Sequence, residues 1–346
     1  MPIIQSNSVS ASAIYLPPIP TVSLKKVGVV NEAQALVPDG INAYLDKYAA
    51  PAPKPKLIKP VTPMDGFLFG ADPEMFVVDE KGELVCAEGL IPGTKAQPYK
   101  VEGGAVQVDG MAAEFNIDPA DNFFDFSNRI DMVIGQLKAM LPKGYDLVAR
   151  PAVTFPEEVF DNAPDCAKEL GCTPDYDAWT GAANPPPDAS KFPRLRTASG
   201  HIHIGWTDGA SLSDPDHVRN CFDLVKQLDY FVGAWSVLED TDNTRRSLYG
   251  KAGACRIKPY GVEYRVLSNF WLTTPERRVL VWNRVQDAIK SMSKVFFPEK
   301  ASNFNDALIQ AINTSDLPIE FQTKFAFPIA LSDSKYASDY ANYSFN

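Results

Sequence analysis

Four short, otherwise apolar stretches of this chain carry polar side chains two positions apart. "GADPEMFVV" holds Asp72 and Glu74, and "VQVDGMAAEFN" holds Gln107 and Asp109, then Glu114 and Asn116. "GHIHIG" holds His201 and His203, and "GVEYRVL" holds Glu263 and Arg265. Residues i and i+2 of an extended strand project to the same face, so each stretch presents its polar pair in one direction. A carboxylate on the face opposite Met75, Val77, Val262 or Tyr264 must meet solvent or a compensating charge, because unpaired burial is costly. One such pair is an ordinary half-solvated sheet face. Four of them, from distant parts of the chain and mixing acids with imidazoles, point to one shared site.

The rest of the chain supplies further strands and the helices behind them. "EMFVVDEKGELVCAE" reads as a hairpin turning at Lys81-Gly82, and "AVQVDGMAAEFNI" and "YDLVAR" read as further strands. "DFSNRIDMVIGQLKAML" has a 3.6-residue apolar stripe through Ile130, Val133, Ile134, Leu137 and Leu141, with Ser127 as the expected N-cap. "SDPDHVRNCFDLVKQLDYFVGAWSVL" and "TTPERRVLVWNRVQDAIKSM" open on polar caps followed by Pro215 and Pro275, the favoured first helical residue. The pattern is α+β: a curved, mainly antiparallel sheet lined with acidic and His residues and backed by helices. Proline-rich residues 1–64 read as an N-terminal arm, 65–330 as the catalytic domain and the Tyr/Ser-rich 331–346 as a polar tail. Residues 156–197 form a long irregular insert, read as a lid because it runs directly into the His-Ile-His strand.

Charge narrows the partners. A formal net charge of −10 opposes non-specific nucleic-acid binding, which requires a positive field. No apolar run of about 18 residues is present to cross a bilayer, and the N-terminus lacks the pattern of a secretory signal, so the expected compartment is the cytoplasm. Five cysteines, an odd number without a CxxC pair, read as reduced thiols rather than a disulfide framework or zinc ribbon.

Glu74, Glu114, His201 and Glu263 offer hard oxygen ligands with an imidazole, a set suited to Mg²⁺ or Mn²⁺. Several acids around one cavity also repel each other unless cations lie between them. Beside them runs "TRRSLYGKAGACRIKPYGVEYR", with Arg245, Arg246, Lys251, Arg256, Lys258 and Arg265. Carboxylate-held cations beside arginines are recurring equipment for phosphoryl transfer from a nucleotide. "GLIPGTK" has the wrong spacing for a phosphate-binding glycine loop, and no GxGxxG or GxSxG occurs.

The ordered set "FGADPEMFV", "QVDGMAAEFN", "SGHIHIG" and "RRSLYGKAGACRIKPYGVEYRVLSNFW" resembles the phage-type carboxylate-amine ligases, a branch of the glutamine synthetase and glutamate-cysteine ligase superfamily. The likeness spans about residues 66–292. It implies ATP and two or more Mg²⁺ or Mn²⁺ ions inside a curved antiparallel sheet, with a substrate carboxylate phosphorylated and then displaced by an amine. By this resemblance Glu74, Glu114, His201 and Glu263 are cation ligands, with Asp72 and Asp109 as further candidates. His203 then faces phosphate or substrate, while Arg245, Arg246, Arg256, Lys258 and Arg265 meet phosphate. Arg256, Glu263 and Arg265 would carry the chemistry. The implied substrates are a small-molecule or peptide carboxylate and an amine, the gene would be phage-encoded, and the two arms invite self-association. Two other classes stay open: a divalent-metal-dependent hydrolase, which would turn over without ATP, and a non-catalytic phage assembly protein on the same fold.

Overall fold

Backbone hydrogen bonding turns the alternating stretches into thirteen described strands. A computed structural model of the chain describes residues 66–169, 175–188, 191–292 and 302–318; both arms and the Cys172 region of the insert lie outside these. The strands are β1 (Leu68–Ala71), β2 (Glu74–Val78), β3 (Leu84–Val85), β4 (Tyr99–Val101), β5 (Gly104–Asp109), β6 (Ala112–Ile117), β7 (Asp146–Val148), β8 (Ala152–Thr154), β9 (Tyr176–Asp177), β10 (Leu195–Thr197), β11 (Ile202–Gly205), β12 (Ala254–Lys258) and β13 (Gly261–Tyr264). The helices are α1 (Phe123–Met140), α2 (Glu157–Asn162), α3 (Asp165–Lys168), α4 (Pro215–Leu228), α5 (Ala234–Glu239), α6 (Thr244–Leu248), α7 (Pro275–Ser291) and α8 (Ser302–Thr314).

Two antiparallel sheets make one curled surface. One has the order β1-β11-β13-β12-β9, and the other runs β3-β2-β6-β5-β4 with β7 also paired to β2. The chain passes from the first sheet to the second between β1 and β2, at Asp72-Pro73. Proline cannot donate to a ladder, and here the ladder changes partner: Asp72 N donates to His201 O at 3.4 Å, Glu74 N to Ser199 O at 2.9 Å and Phe115 N to Pro73 O at 3.1 Å. The expected curved antiparallel sheet, with polar residues on its front and helices behind, agrees with this mixed α/β arrangement.

Helices close the back. Phe126, Ile130, Val133 and Leu137 of α1 are buried, and α1 packs on β5 and β6. Trp282 of α7 lies 4.5 Å from the Phe69 ring and 5.3 Å from that of Phe126, joining the two helices to β1. Each such aromatic contributes about 2–3 kcal/mol of burial. The N-caps of α4 and α7 are Asp214 and Thr274, with Pro215 and Pro275 at the first helical position.

Several local expectations are corrected. Helix α1 is capped by Asn122, whose side chain accepts from Asp125 N at 2.9 Å, rather than by Ser127, because Phe123 and Phe126 extend the apolar stripe a turn earlier. "AVQVDGMAAEFNI" is not one strand but the hairpin β5–β6, pairing Asp109 with Ala112 across Gly110-Met111. The basic run contains α6 and β12, and β12 pairs with β13. The insert holds α2, α3 and β9, which adds to the edge of the first sheet. No described helix is long and apolar enough to cross a membrane.

Candidate functional site

Register brings the polar pairs together. His203 of β11 lies opposite Glu263 of β13, which lies opposite Arg256 of β12. In the second sheet Glu74 lies opposite Glu114, which lies opposite Gln107. Asp72 and Glu74 flank Pro73 where the sheets meet, so one reaches the histidines and the other the acids.

The first cluster is Asp72, His203 and Glu263, whose ligand atoms lie within 4.8 Å of one another. Asp72 Oδ1 is 3.0 Å from His203 Nε2 and 3.3 Å from His201 Nδ1, yet both Asp72 Oδ1 and His203 Nε2 are buried without an aligned hydrogen bond. His203 Nδ1 is 2.6 Å from the Tyr260 hydroxyl. When Nδ1 carries the proton and donates it there, Nε2 presents its lone pair to the cluster. Burial opposes the charge on Asp72, but His203 and His201 outweigh it and hold its carboxyl well below the usual range.

The second cluster is Glu74, Asp109 and Glu114, again within 4.8 Å. Glu74 Oε2 accepts from Ser199 N at 2.8 Å, and Glu114 Oε2 accepts from Gln107 Nε2 at 2.6 Å. Burial, followed by the charge of Asp109, pushes Glu74 up to about 7. Burial and then the charges of Asp72, Asp109 and Glu74 push Glu114 well up. These acids are under-neutralised. Lys95 Nζ, 2.6 Å from Asp109 Oδ2, supplies positive charge where a metal cation would.

Glu263 is the opposite case. It is fully buried and ion-paired to Arg265, to Lys258 at 2.7 Å and to Arg256 at 3.4 Å. Burial alone would raise its carboxyl, but Arg265 foremost among its partners lowers it. Arg265 Nε also donates to Asp175 Oδ2 at 3.0 Å. Arg245 donates to the carbonyls of Val266 and Arg265, and burial depresses it to about 10.

Asp72, Glu74, Asp109, Glu114, His201, Arg245, Arg256 and Arg265 line one groove of about 100 Å³. Four expected site residues are placed otherwise. His201 belongs to neither acidic cluster; its Nδ1 sits 3.3 Å from Asp72 and 3.4 Å from Arg265 Nη1, and burial with the nearby Arg265 charge lowers it to about 4. A neutral imidazole results. His203, expected to face phosphate, is the histidine grouped with carboxylates. Arg246 points away from the groove, donating to Ser236 Oγ at 2.8 Å in the core. Lys258 does not line the groove and reaches Glu263 from its side.

Asp175 is legible in the sequence only as part of the lid segment 172–176, and Lys95, Ser199, Tyr260 and Arg196 are not singled out by any motif. Lys95 was within view as the last residue of "GLIPGTK", but the motif fails as a phosphate loop. Tyr260 was readable only as a turn residue between β12 and β13. The groove shares Asp175, Tyr249, Gly250 and Arg265 with a larger cavity of about 680 Å³, walled by Pro185–Pro187, Phe192 and Leu248.

No protein-family model and no curated protein matches the chain. Among solved structures, the chain is similar to a bifunctional glutathione synthetase from Pasteurella multocida, at 12% identity and a TM-score of 0.41. The match covers 76% of this chain and 47% of that one, so the chain spans about half the length of that enzyme.

Proposed function

We propose that the chain is an ATP-dependent carboxylate-amine ligase that forms an amide or peptide bond through an acyl phosphate. The observation that carries this reading is a groove lined by Asp72 of one acidic cluster and by Glu74, Asp109 and Glu114 of the other, which also presents Arg245, Arg256 and Arg265. The groove's cysteine-free and serine-poor lining leaves positioning and charge stabilisation as its means of catalysis. The four-motif resemblance to carboxylate-amine ligases supports the same reading.

Asp72, His203 and Glu263 would hold one Mg²⁺ or Mn²⁺, and Glu74, Asp109 and Glu114 another. The facing, unaligned Asp72 and His203 atoms and the ammonium already drawn to Asp109 fit that role. Bound cations supply charge neutralisation on the phosphates. Arg265 and Arg256, steadied by Glu263, face the transferring phosphoryl group, and Asp175 fixes the fork of Arg265 through Nε. A carboxylate oxygen attacks the γ-phosphorus, ADP departs, and the amine then attacks the acyl carbon and expels phosphate. The cavity of about 680 Å³ gives room for the bulkier parts of the substrates beside the small groove. In this reading the gene is phage-encoded and the enzyme works in the host cytoplasm.

The test is to incubate the protein with ATP, Mg²⁺, hydroxylamine and pooled carboxylates. ADP and a hydroxamate should form together, and Arg265→Met should lose both. Turnover of a substrate without ATP would support a metal-dependent hydrolase instead, and inertness toward ATP with every carboxylate would contradict the ligase reading.

A further inference from the structure

Lys95 is carried on a backbone fixed in a way that its side chain is not. Gly93 has φ +91°, and a Cβ there would meet Val106 O at 2.3 Å and Tyr99 N at 2.7 Å, so only glycine lets the loop lie this close to β5. Gly93 O accepts from Val108 N at 3.2 Å. The next turn is closed between Thr94 and Gln97 by backbone hydrogen bonds of 3.1 and 3.0 Å and by Gln97 N donating to Thr94 Oγ1 at 3.2 Å. The Lys95 side chain itself is 51% exposed, ending 2.6 Å from Asp109 Oδ2 and within the field of Glu114 and Glu74. A flexible four-carbon stem on a pinned turn can move its charge without moving the fold.

We propose that Lys95 is a displaceable internal counter-ion: it neutralises the Glu74, Asp109 and Glu114 cluster in the free protein, yields that place to a divalent cation, and then binds the anionic phosphate. This inference rests on the cation reading given above. An ammonium and a divalent cation among the same three carboxylates repel, so cation binding without nucleotide is opposed by Lys95. Once displaced, the ammonium remains in the same groove as Arg245 and Arg265, where nucleotide phosphate offers it a new partner. Cation and nucleotide binding thereby become cooperative, each favouring the other by the same factor.

The test is Mn²⁺ binding, followed by electron paramagnetic resonance, in the wild type, Lys95→Met and Lys95→Arg, with and without ATP. Lys95→Met should bind Mn²⁺ about tenfold more tightly than the wild type without ATP. It should bind ATP more weakly in the presence of Mn²⁺, and the cooperativity should fall by at least fivefold. Lys95→Arg, which keeps the charge, should resemble the wild type, and circular dichroism would confirm that both variants fold. Equal or weaker Mn²⁺ binding by Lys95→Met, with wild-type binding intact, overturns the counter-ion role while leaving the cation reading in place. Absence of Mn²⁺ binding from all three proteins overturns both.

Discussion

His201 and His203 project from one strand face, yet they meet different partners. His203 faces Asp72 and Glu263 and is oriented by Tyr260, while His201 stays neutral beside Arg265. Spacing alone placed both side chains on one face but could not divide these roles, because the partners arrive from β1 and β13. Exchanging each for asparagine should separate them. His203→Asn should weaken Mn²⁺ binding tenfold or more, and His201→Asn should leave it within about threefold while slowing turnover. Equal losses of Mn²⁺ affinity in isothermal titration would contradict the division. Gly200, immediately before this pair, is set by close approach: an added Cβ would meet Ser268 O at 2.2 Å and Trp271 Nε1 at 2.4 Å. Since the first of these is backbone, Gly200→Ala should cost about 2–3 kcal/mol and lower Tm by roughly 4–8 °C. An unchanged melting curve would show that the approach is looser than described.

Among the elements, the hydrophobic period and the caps made α4 and α7 legible, and the turn at Lys81-Gly82 marked the β2–β3 hairpin. The β5–β6 hairpin was hidden because its apolar alternation continues through Gly110-Met111, although an Asp-Gly pair is itself a turn signal. The long helical pattern through Trp235 concealed a π-helical turn at Asp229–Gly233 between α4 and α5. That turn carries Asp229, which accepts from Trp179 Nε1 at 2.6 Å, Gly253 N at 2.6 Å and Tyr264 at 2.8 Å, tying the insert to β13. Period analysis registers a buried stripe but not a widened turn, and the tie to Trp179 spans 50 residues. Burial, against those hydrogen bonds, pushes Asp229 from 3.8 up to about 7. The folded protein therefore holds a proton that the unfolded chain has released, and the contribution of Asp229 to stability is greatest below about pH 4 and is lost as pH rises through 7. Glu74 slopes the same way. Replacing Asp229 with Asn should flatten the decline in unfolding free energy between pH 4 and 8 by up to about 4 kcal/mol. Parallel pH profiles for the two proteins would rule out this proton.

At the scale of the whole molecule, the decisive event is the passage of the chain between sheets at Asp72-Pro73. It brings residues of β2, β5, β6 and β12, with Asp72 after β1, His201 before β11 and Arg265 after β13, to one groove. Strand faces were readable residue by residue, so the carboxylates, histidines and arginines of the front could be named. Their grouping was not readable, because it depends on which strands pair across the break. Arg246 shows the limit most plainly: adjacent to Arg245 in sequence, it points into the core because α6 turns successive side chains apart. The same topology makes the central claim measurable: two neighbouring cation sites, one holding Asp72 and the other Glu74, completed by a nucleotide. Counting Mn²⁺ ions bound per chain by electron paramagnetic resonance with a non-hydrolysable ATP analogue tests it directly. Two ions should bind, with Glu263→Gln losing one and Glu114→Gln losing the other; binding of no ion, or of ions indifferent to both substitutions, would contradict it.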